Sequence, residues 1–413
     1  MTFLTNVFTY DELRFIWWLL IGVLMLGWAI TDGFDVGVGM LLQIIGKNDE
    51  ERRVLINTVA PHWDGNQVWL ITAGGAMFAA WPIAYAASFS GFYLALMLVL
   101  MALFFRPTGF EYRSKIESPI WRRLWDWGLT FGSLVPALVI GVAFGNLLQG
   151  VPFDYVPNST SAGLSLAHNL NMPFYHSGWN GNEAGGVWRG FLGLLSLLNW
   201  YALIAGLISV FMLVAIGGSY LQLKTVGELR RRSEKATVIS AIIACILFVV
   251  AGVFLYYSID GYQVSSAIAA NGPSIPSTDK EVTKAAGLWF TNYNKMPLLW
   301  IFPLLGVLGF LIAIFSSRTS KGVISFIGTS IALFGVIFTA GVSMFPFIMP
   351  SSTTANHSLT MWDASSSYNT LAIMTLVALV MVPIVLLYTV WGYYVMRGRI
   401  DVDYVKSKAH QLY

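Results

Sequence analysis

Charge is scarce in this sequence: only 11% of its 413 residues are Asp, Glu, Lys or Arg, where a soluble chain carries about 25%. With 56% hydrophobic residues, 16 Trp and 27 Phe, the composition is that of an integral membrane protein. Net charge is only +3, so no broad basic field for nucleic acid is present. Cysteine is nearly absent. Cys245 stands alone inside an apolar run, which excludes an intrachain disulfide and a cysteine metal cage. Histidine is sparse as well: His168, His176, His357 and His410 fall in predicted loops or the tail, and His62 stands at a helix mouth. None sits mid-membrane on a helix, where a haem ligand is usually offered, and no two are at helical spacing, which argues against a copper or di-iron site. Methionines in so apolar a chain are read as packing. The chain is therefore expected to ligate no metal. No cleavable signal peptide is expected either, because the run after Arg14 is too long for a signal core and lacks a small-residue cleavage site before Asp32.

What the sequence does have is long apolar runs. A spanning helix needs about 20 mostly apolar residues, and the sequence predicts nine such spans, roughly 15–45, 55–87, 89–106, 121–148, 191–223, 236–258, 297–316, 322–347 and 371–396. The first would run about 46 Å, so tilt, a kink or an extension is expected, with Gly33, Gly37 and Gly39 as places to bend or pack closely. Nineteen of the 24 Lys and Arg residues lie in segments 46–53, 106–123, 224–235, 317–321 and the tail from Arg397. That bias places the N-terminus in the periplasm and the C-terminus in the cytoplasm. The chain is read as a single membrane domain, 1–413, with long periplasmic loops at about 149–190, 259–296 and 347–370. A short helix is expected at 279–290. TDGFDVG (31–37) and SIDGYQV (258–264) form a faint echo of two related halves.

The stretch of greatest interest is APHWDGNQVW at 60–69. A carboxylate at membrane depth costs about 2.5–3.5 kcal/mol on insertion scales and is a functional candidate by default. Asp64 therefore needs a partner or a water-filled cavity, and Asn66 and Gln67 are suitable neighbours. The plain alternative is a solvated helix start with an acid favoured by the macrodipole. Asp32 and Asp35, three apart, share one helix face. Counted from the basic ends of their helices, Asp32 lies about 20 Å and Asp64 about 16 Å deep. Such acids suit a proton entry path, or equally a structural hydrogen-bond network joining two helices. Arg106, before Pro107, suits a helix end; pairing with Asp32, Asp35 or Asp126 is the alternative. Arg113, Lys115, Arg122 and Arg123 are read as surface anchors. Tryptophans 17, 18, 121, 125 and 127 are read as an interfacial belt, which Trp63 and Trp69 extend.

Five segments carry a resemblance: FIWWLLIGVLMLGWAITDGFDVGVG, APHWDGNQVWLITAGGAMFAAWP, LFFRPTGFEYRSK, WDWGLTFGSLVPALVIGVAFGNLLQGVPF and MFPFIMPSS with LTMWDASSS. Long and in order, they resemble subunit II of the cytochrome bd quinol oxidases from near residue 10 to the end, departing in the loop 153–190. The resemblance implies an all-α fold of two four-helix bundles plus one peripheral helix. It further implies a bacterial inner-membrane complex that oxidises ubiquinol or menaquinol and reduces O2 to water. Two b-type haems and one d-type haem would be held by subunit I, a small single-helix subunit would complete the complex, and some members hold a quinone in subunit II. By the same resemblance Asp32, Asp35, Asp64, Arg106, Asp126, Asn66 and Gln67 belong to a proton route or its supporting network. Trp63 and Trp69, with Ala73, Gly74 and Gly75, would border an oxygen path, small residues otherwise meaning close packing. No catalytic residue is expected in this chain. The rival reading is a proton-coupled secondary transporter, which usually shows matching interrupted helices; none is evident. A purely structural partner of subunit I is the third reading.

Overall fold

A computed structural model describes residues 7–153, 156–157, 164–165, 193–274 and 280–407. Most of the loop 153–190, with His168 and His176, and also His410, lie outside the described residues. The architecture is built from helix α1 (Tyr10–Ile45), which starts at a capping box between Thr9 and Glu12. Its 36 residues extend about 54 Å at 1.5 Å each. The first half is partly exposed, whereas every residue from Asp32 to Leu42 is buried. The central position of α1 follows from its glycines. A Cβ on Gly37 would lie 2.1 Å from the Leu213 carbonyl oxygen and 2.8 Å from Gly217 Cα of α8 (Trp200–Lys224). The two backbones touch there, and neither can move without displacing a whole helix. Gly37→Leu is accordingly expected to prevent recovery of folded protein from membranes, while Gly341→Leu, 3.5 Å from a Trp18 ring edge, leaves most of it folded; detergent-extracted yield by gel filtration checks both.

The expected second span, 55–87, is not one helix. Pro61 and Pro82 divide it into α2 (Asp49–Val59), α3 (Trp63–Ala80) and α4 (Pro82–Gly91). Trp81, just before Pro82, takes φ −132° and ψ 71°, outside the helical region that a following proline disfavours. The third run continues beyond its expected end: α5 (Tyr93–Leu103) passes through Phe104 into α6 (Phe105–Tyr112). Pro107 sits in the first turn of α6, where its missing N–H costs nothing, so Arg106 does not end a helix. Next come α7 (Pro119–Gln149), α8, α9 (Gly227–Tyr257), the short α10 (Thr291–Lys295), α11 (Ile301–Arg318), α12 (Gly322–Met344), α13 (Tyr368–Val395) and α14 (Val402–Ser407). Helix α8 begins nine residues later than expected because Asn199 caps it, its side chain accepting from the Ala202 N–H. Among the described residues eight helical stretches are long and apolar enough to cross a membrane. Helix α3, with its polar first turns, is not one of them.

Around α1 pack α3, α7, α8, α12 and, more lightly, α13. Glycines at Gly306 and Gly335 bring α11 and α12 together as closely as α1 and α8. At the basic end, Arg232 of α9 donates to both Glu51 oxygens of α2 at 2.8 and 2.9 Å. Those hydrogen bonds hold the Glu51 carboxyl below its ordinary range. At the opposite end, the short helix expected at 279–290 is not found over the described residues 280–287. Strand β1 (Asp260–Val264) pairs antiparallel with β2 (Val282–Ala286), Tyr262 opposite Lys284, and a left-handed Gly287 (φ 81°) leads into a single 3-10 turn. SIDGYQV therefore belongs to a strand and TDGFDVG to a helix, so the two are not structural repeats. Buried Arg14 on α1 fastens this end, donating to Ser365 Oγ and to the Ala270 and Gly272 carbonyls. Trp17 is not in an interfacial belt: it is buried and donates to Leu371 O and Thr375 Oγ1 of α13.

Candidate functional site

Asp32 and Asp35 face the same way from α1, as their spacing predicted, but they meet different partners. Arg106 of α6 reaches Asp32 with two parallel hydrogen bonds of 3.0 and 2.5 Å. Both side chains are about 1% exposed, and Trp28, one turn earlier, donates to the same carboxylate at 2.9 Å. This planar two-point contact is the geometry in which Arg and carboxylate bind most strongly. Asp32 is thus neutralised.

Asp35 has no cation of its own. Its Oδ2 accepts from Asn66 Nδ2 at 2.7 Å, while its Oδ1 is buried without a hydrogen-bond partner. His62 Nδ1 lies 3.7 Å from that oxygen and 3.3 Å from Asn66 Nδ2. The tautomer of His62 follows from its other side. Tyr220 donates its single proton to the Thr58 carbonyl at 2.9 Å, so at 2.8 Å from His62 Nε2 it must accept. Nε2 carries the hydrogen and Nδ1 presents a lone pair. Two acceptors, Asp35 Oδ1 and His62 Nδ1, therefore face one another at 3.7 Å, a separation too long for a direct hydrogen bond. Tyr393, from the last long helix, closes the network by donating to Asn66 Oδ1.

The network brings together four of the residues singled out in the sequence: Asp32, Asp35, Arg106 and Asn66. Others lie elsewhere. Asp64 and Asn66 are two apart on α3 and so point about 200° apart around its axis. Asn66 is buried; Asp64 is exposed and among the described residues has no hydrogen-bonding or ionic partner. Gln67 is partly exposed. Val68, Ile71, Gly75 and Phe78 continue the exposed face of α3, and a Cβ on Gly74 or Gly75 would meet nothing within 4 Å. Within this chain those glycines do not serve close packing. Trp63 stacks on Phe110 with centroids 5.2 Å apart, and Trp69 covers Gly27.

Asp126 of α7 belongs to a second cluster. It accepts from Arg113 at 2.6 and 3.3 Å and from Arg52 at 3.0 Å, and Arg113 and Arg122 both reach Asp49 at 2.8 Å. Arg113 is 1% exposed. It is an interior ion-pair residue, not a surface anchor, and it ties α2, α6 and α7 together.

Trp28, His62, Tyr220 and Tyr393 were not recognised in the sequence as network members. For His62 a signal existed, since residues four apart, such as His62 and Asn66, share a helix face. For Tyr220 and Tyr393, 158 and 327 residues from their partners, there was none. One further feature is a largely apolar cavity of about 610 Å3 between α1, α7, α8, α9, α11 and α12, lined by Trp28, Tyr201, Ser209, Tyr256, Tyr293 and Trp300 among others.

Apolar helices around an internal Arg–Asp pair and a second carboxylate define a polytopic helical membrane protein with a buried ionisable core. Such groups in membrane helices mark ion or proton pathways. Residues 13–396 match the family described as cytochrome bd terminal oxidase subunit II, and the chain belongs to that family. It is 52% identical over 404 residues to the cytochrome bd-I ubiquinol oxidase subunit 2 of Escherichia coli K12, covering 98% of this chain and 99% of that one. A probable cytochrome oxidase subunit 2 of Haemophilus influenzae is 51% identical over the same coverage. The cytochrome bd ubiquinol oxidase subunit 2 of Bacillus subtilis is 31% identical over 94% of this chain and 97% of its own. In fold the chain is similar to a chain of the bd oxidase from Geobacillus thermodenitrificans, with TM-score 0.60 and 14% identity over 93% of this chain and 98% of that one. The chain is thus a subunit of a bd-type respiratory oxidase, an oxidoreductase complex with haem, quinol and a partner subunit I.

Proposed function

We propose that this chain is the non-haem-ligating subunit of a complex that oxidises quinol and reduces O2 to water, and that it supplies protons to the reaction while scaffolding subunit I. The observation that carries the reading is the pairing of a neutralised Asp32 with an Asp35 that has no cation and faces the His62 Nδ1 lone pair. A carboxyl placed this way can take up and release a proton, its ionised form accepting from the Asn66 amide beside the Asp32–Arg106 pair. His62 has both ring nitrogens committed, to Tyr220 and to Asn66 with Asp35, and offers no lone pair to an iron. The two b-type haems and the d-type haem, with the main catalytic centre, are assigned to subunit I, as the likeness to the bd oxidase family implies.

Asp64 is the residue assigned to the hand-over. It stands exposed on the apolar outer face of α3, where an unpaired carboxylate is costly in lipid and reasonable against a partner subunit. Gln67 and the Asp126 cluster support the basic-end approach to this route. Trp63 and Trp69, with the open Gly74 and Gly75, are assigned to the border of an oxygen path. The apolar cavity suits a quinone ring and isoprenoid tail by size and lining. The quinol class carried by the relatives' names is the substrate assigned to the complex. The whole chain is taken as one membrane domain in the bacterial inner membrane. Helices α3 and α4 would form a broken ninth crossing, the four-helix bundles would pack about α1 and α8, and exposed α13 would be peripheral. The N-terminus is assigned to the periplasm, the basic end to the cytoplasm, and a small single-helix subunit to the remaining partner. Nothing in the family membership supports the transporter reading.

Asp64→Asn tests the proposal. Purified with subunit I and with an unchanged haem spectrum, the variant is expected to lose about 90% or more of quinol-driven oxygen uptake, as removal of a proton-transfer group does. Full turnover in the assembled complex would instead leave this chain a purely structural partner.

A further inference from the structure

At the basic end, away from the Asp32–Asp35 network, a groove of about 330 Å3 opens between the end of α8, the start of α12 and the segment after α13. Gln222, Arg230, Lys321, Gly322 and Arg399 are among its lining residues. Its floor is built, not incidental. Gln222 is fully buried and donates to Thr237 Oγ1 and Ser317 Oγ at 3.0 Å each. Its carbonyl oxygen, Oε1, is buried without a partner. One wall is the N-terminus of α12, a 23-residue helix whose cap residue, Lys321, makes no side-chain capping bond. The N–H groups of the first turn thus face outward with the positive end of the helix dipole. Ser320, at φ 54°, turns the chain into that helix and is held by Arg230, which donates to its carbonyl at 2.6 Å. The other wall is fixed by Ile400, whose N–H bonds Lys224 O at 2.8 Å and so brings Arg399 to the groove.

The charge balance is one-sided. Arg230 is neutralised by Glu234 at 3.3 Å. Lys321 and Arg399 are exposed and, among the described residues, without an ionic or hydrogen-bonding partner. Two unpaired cations and a helix N-terminus call for an anion; the unpaired Gln222 oxygen calls for a hydroxyl or other donor beside it. A phosphodiester with an adjacent hydroxyl meets both demands. Below the groove the surface is apolar, with Val323 62%, Ile327 52% and Phe315 62% exposed, as a surface against acyl chains would be. Basic recesses between membrane helices commonly hold anionic headgroups.

We infer that this groove binds the headgroup of an anionic glycerophospholipid of the phosphatidylglycerol type, its phosphate at Lys321, Arg399 and the α12 N-terminus and a glycerol hydroxyl at Gln222 Oε1. The inference does not depend on the proton route or on the direction of insertion.

The test is native mass spectrometry of the assembled, delipidated complex, titrated separately with phosphatidylglycerol, phosphatidylcholine and inorganic phosphate. The wild type is expected to retain phosphatidylglycerol in preference to phosphatidylcholine. Lys321→Gln with Arg399→Gln is expected to weaken that binding about thirtyfold, the effect of losing two interfacial cations, with the haem spectrum unchanged. Both side chains are exposed, so the fold should survive. Equal retention of the two lipids by the wild type overturns the inference without recourse to any variant. So does equal phosphatidylglycerol binding by wild type and double variant. Saturation by inorganic phosphate with no lipid preference overturns the lipid as the source of the anion.

Discussion

Arg106→Leu is expected to remove most of the assembled complex from membranes. The substitution leaves Asp32 buried with Trp28 as its remaining donor, and stranding one partner of an interior ion pair typically costs about 3–5 kcal/mol. That is a large share of the stability of an ordinary domain. The companion experiment separates stranded charge from lost contact. Asp32→Leu combined with Arg106→Leu removes both charges, and replacement of a complete buried pair by apolar residues is often neutral. The double variant is therefore expected to recover a large part of the yield and thermal midpoint that either single variant loses. Equal loss in all three would mean that packing around Arg106, and not its charge, sustains the fold. Yield of co-purified subunits and a thermal melt followed by the haem absorption provide the readouts.

Asp35→Asn carries the second large effect, and here stability and turnover are expected to part. An asparagine at this position keeps an oxygen to accept from Asn66 Nδ2, now 2.7 Å from Asp35 Oδ2. Its amide nitrogen can donate towards His62 Nδ1, which faces Asp35 at 3.7 Å. The interior acceptor then gains a permanent donor, so the thermal midpoint should hold or rise. Turnover should not. The position can no longer take up or release a proton, and oxygen uptake with saturating quinol is expected to fall about a hundredfold, the lower range for losing a proton-transfer group. Asp35→Leu makes the contrast: it leaves the Asn66 donor unpaired, at about 1–3 kcal/mol, and should lower stability and turnover together. Normal oxygen uptake by Asp35→Asn would reduce the network to a structural tie among α1, α3, α8 and α13.

The sequence by itself determined the class of protein and the inventory of its unusual groups. A chain with 11% charge and long apolar runs has no solution but membrane helices, and every carboxylate within them stands out by its cost. Spacing placed Asp32 and Asp35 on one face, and long ordered motifs carried the family. The break at Pro82 was legible in principle, since proline restricts the residue before it, yet apolar residues on either side merged it into one run; after Pro61 the polar stretch 62–67 already interrupts that run. Strand β2 was obscured because Val282 and Thr283 gain their ladder partners only from β1.

What tertiary structure alone decided was which way each helix faces and whom each charge meets. Periodicity fixes the angle between Asp64 and Asn66 but not which of them turns inward. The packing of α3 against α1 put Asn66 beside Asp35 and left Asp64 outside. Arg106 had three carboxylates to choose from and Asp126 had several cations. The choice between them fell to the path of α5, α6 and α7, which brings Arg106 to Asp32 and Arg113 to Asp126. Tyr393 reaches Asn66 from 327 residues away, a contact that no local pattern encodes. Local spacing sets relative directions along one helix; only the assembled core gives those directions a target.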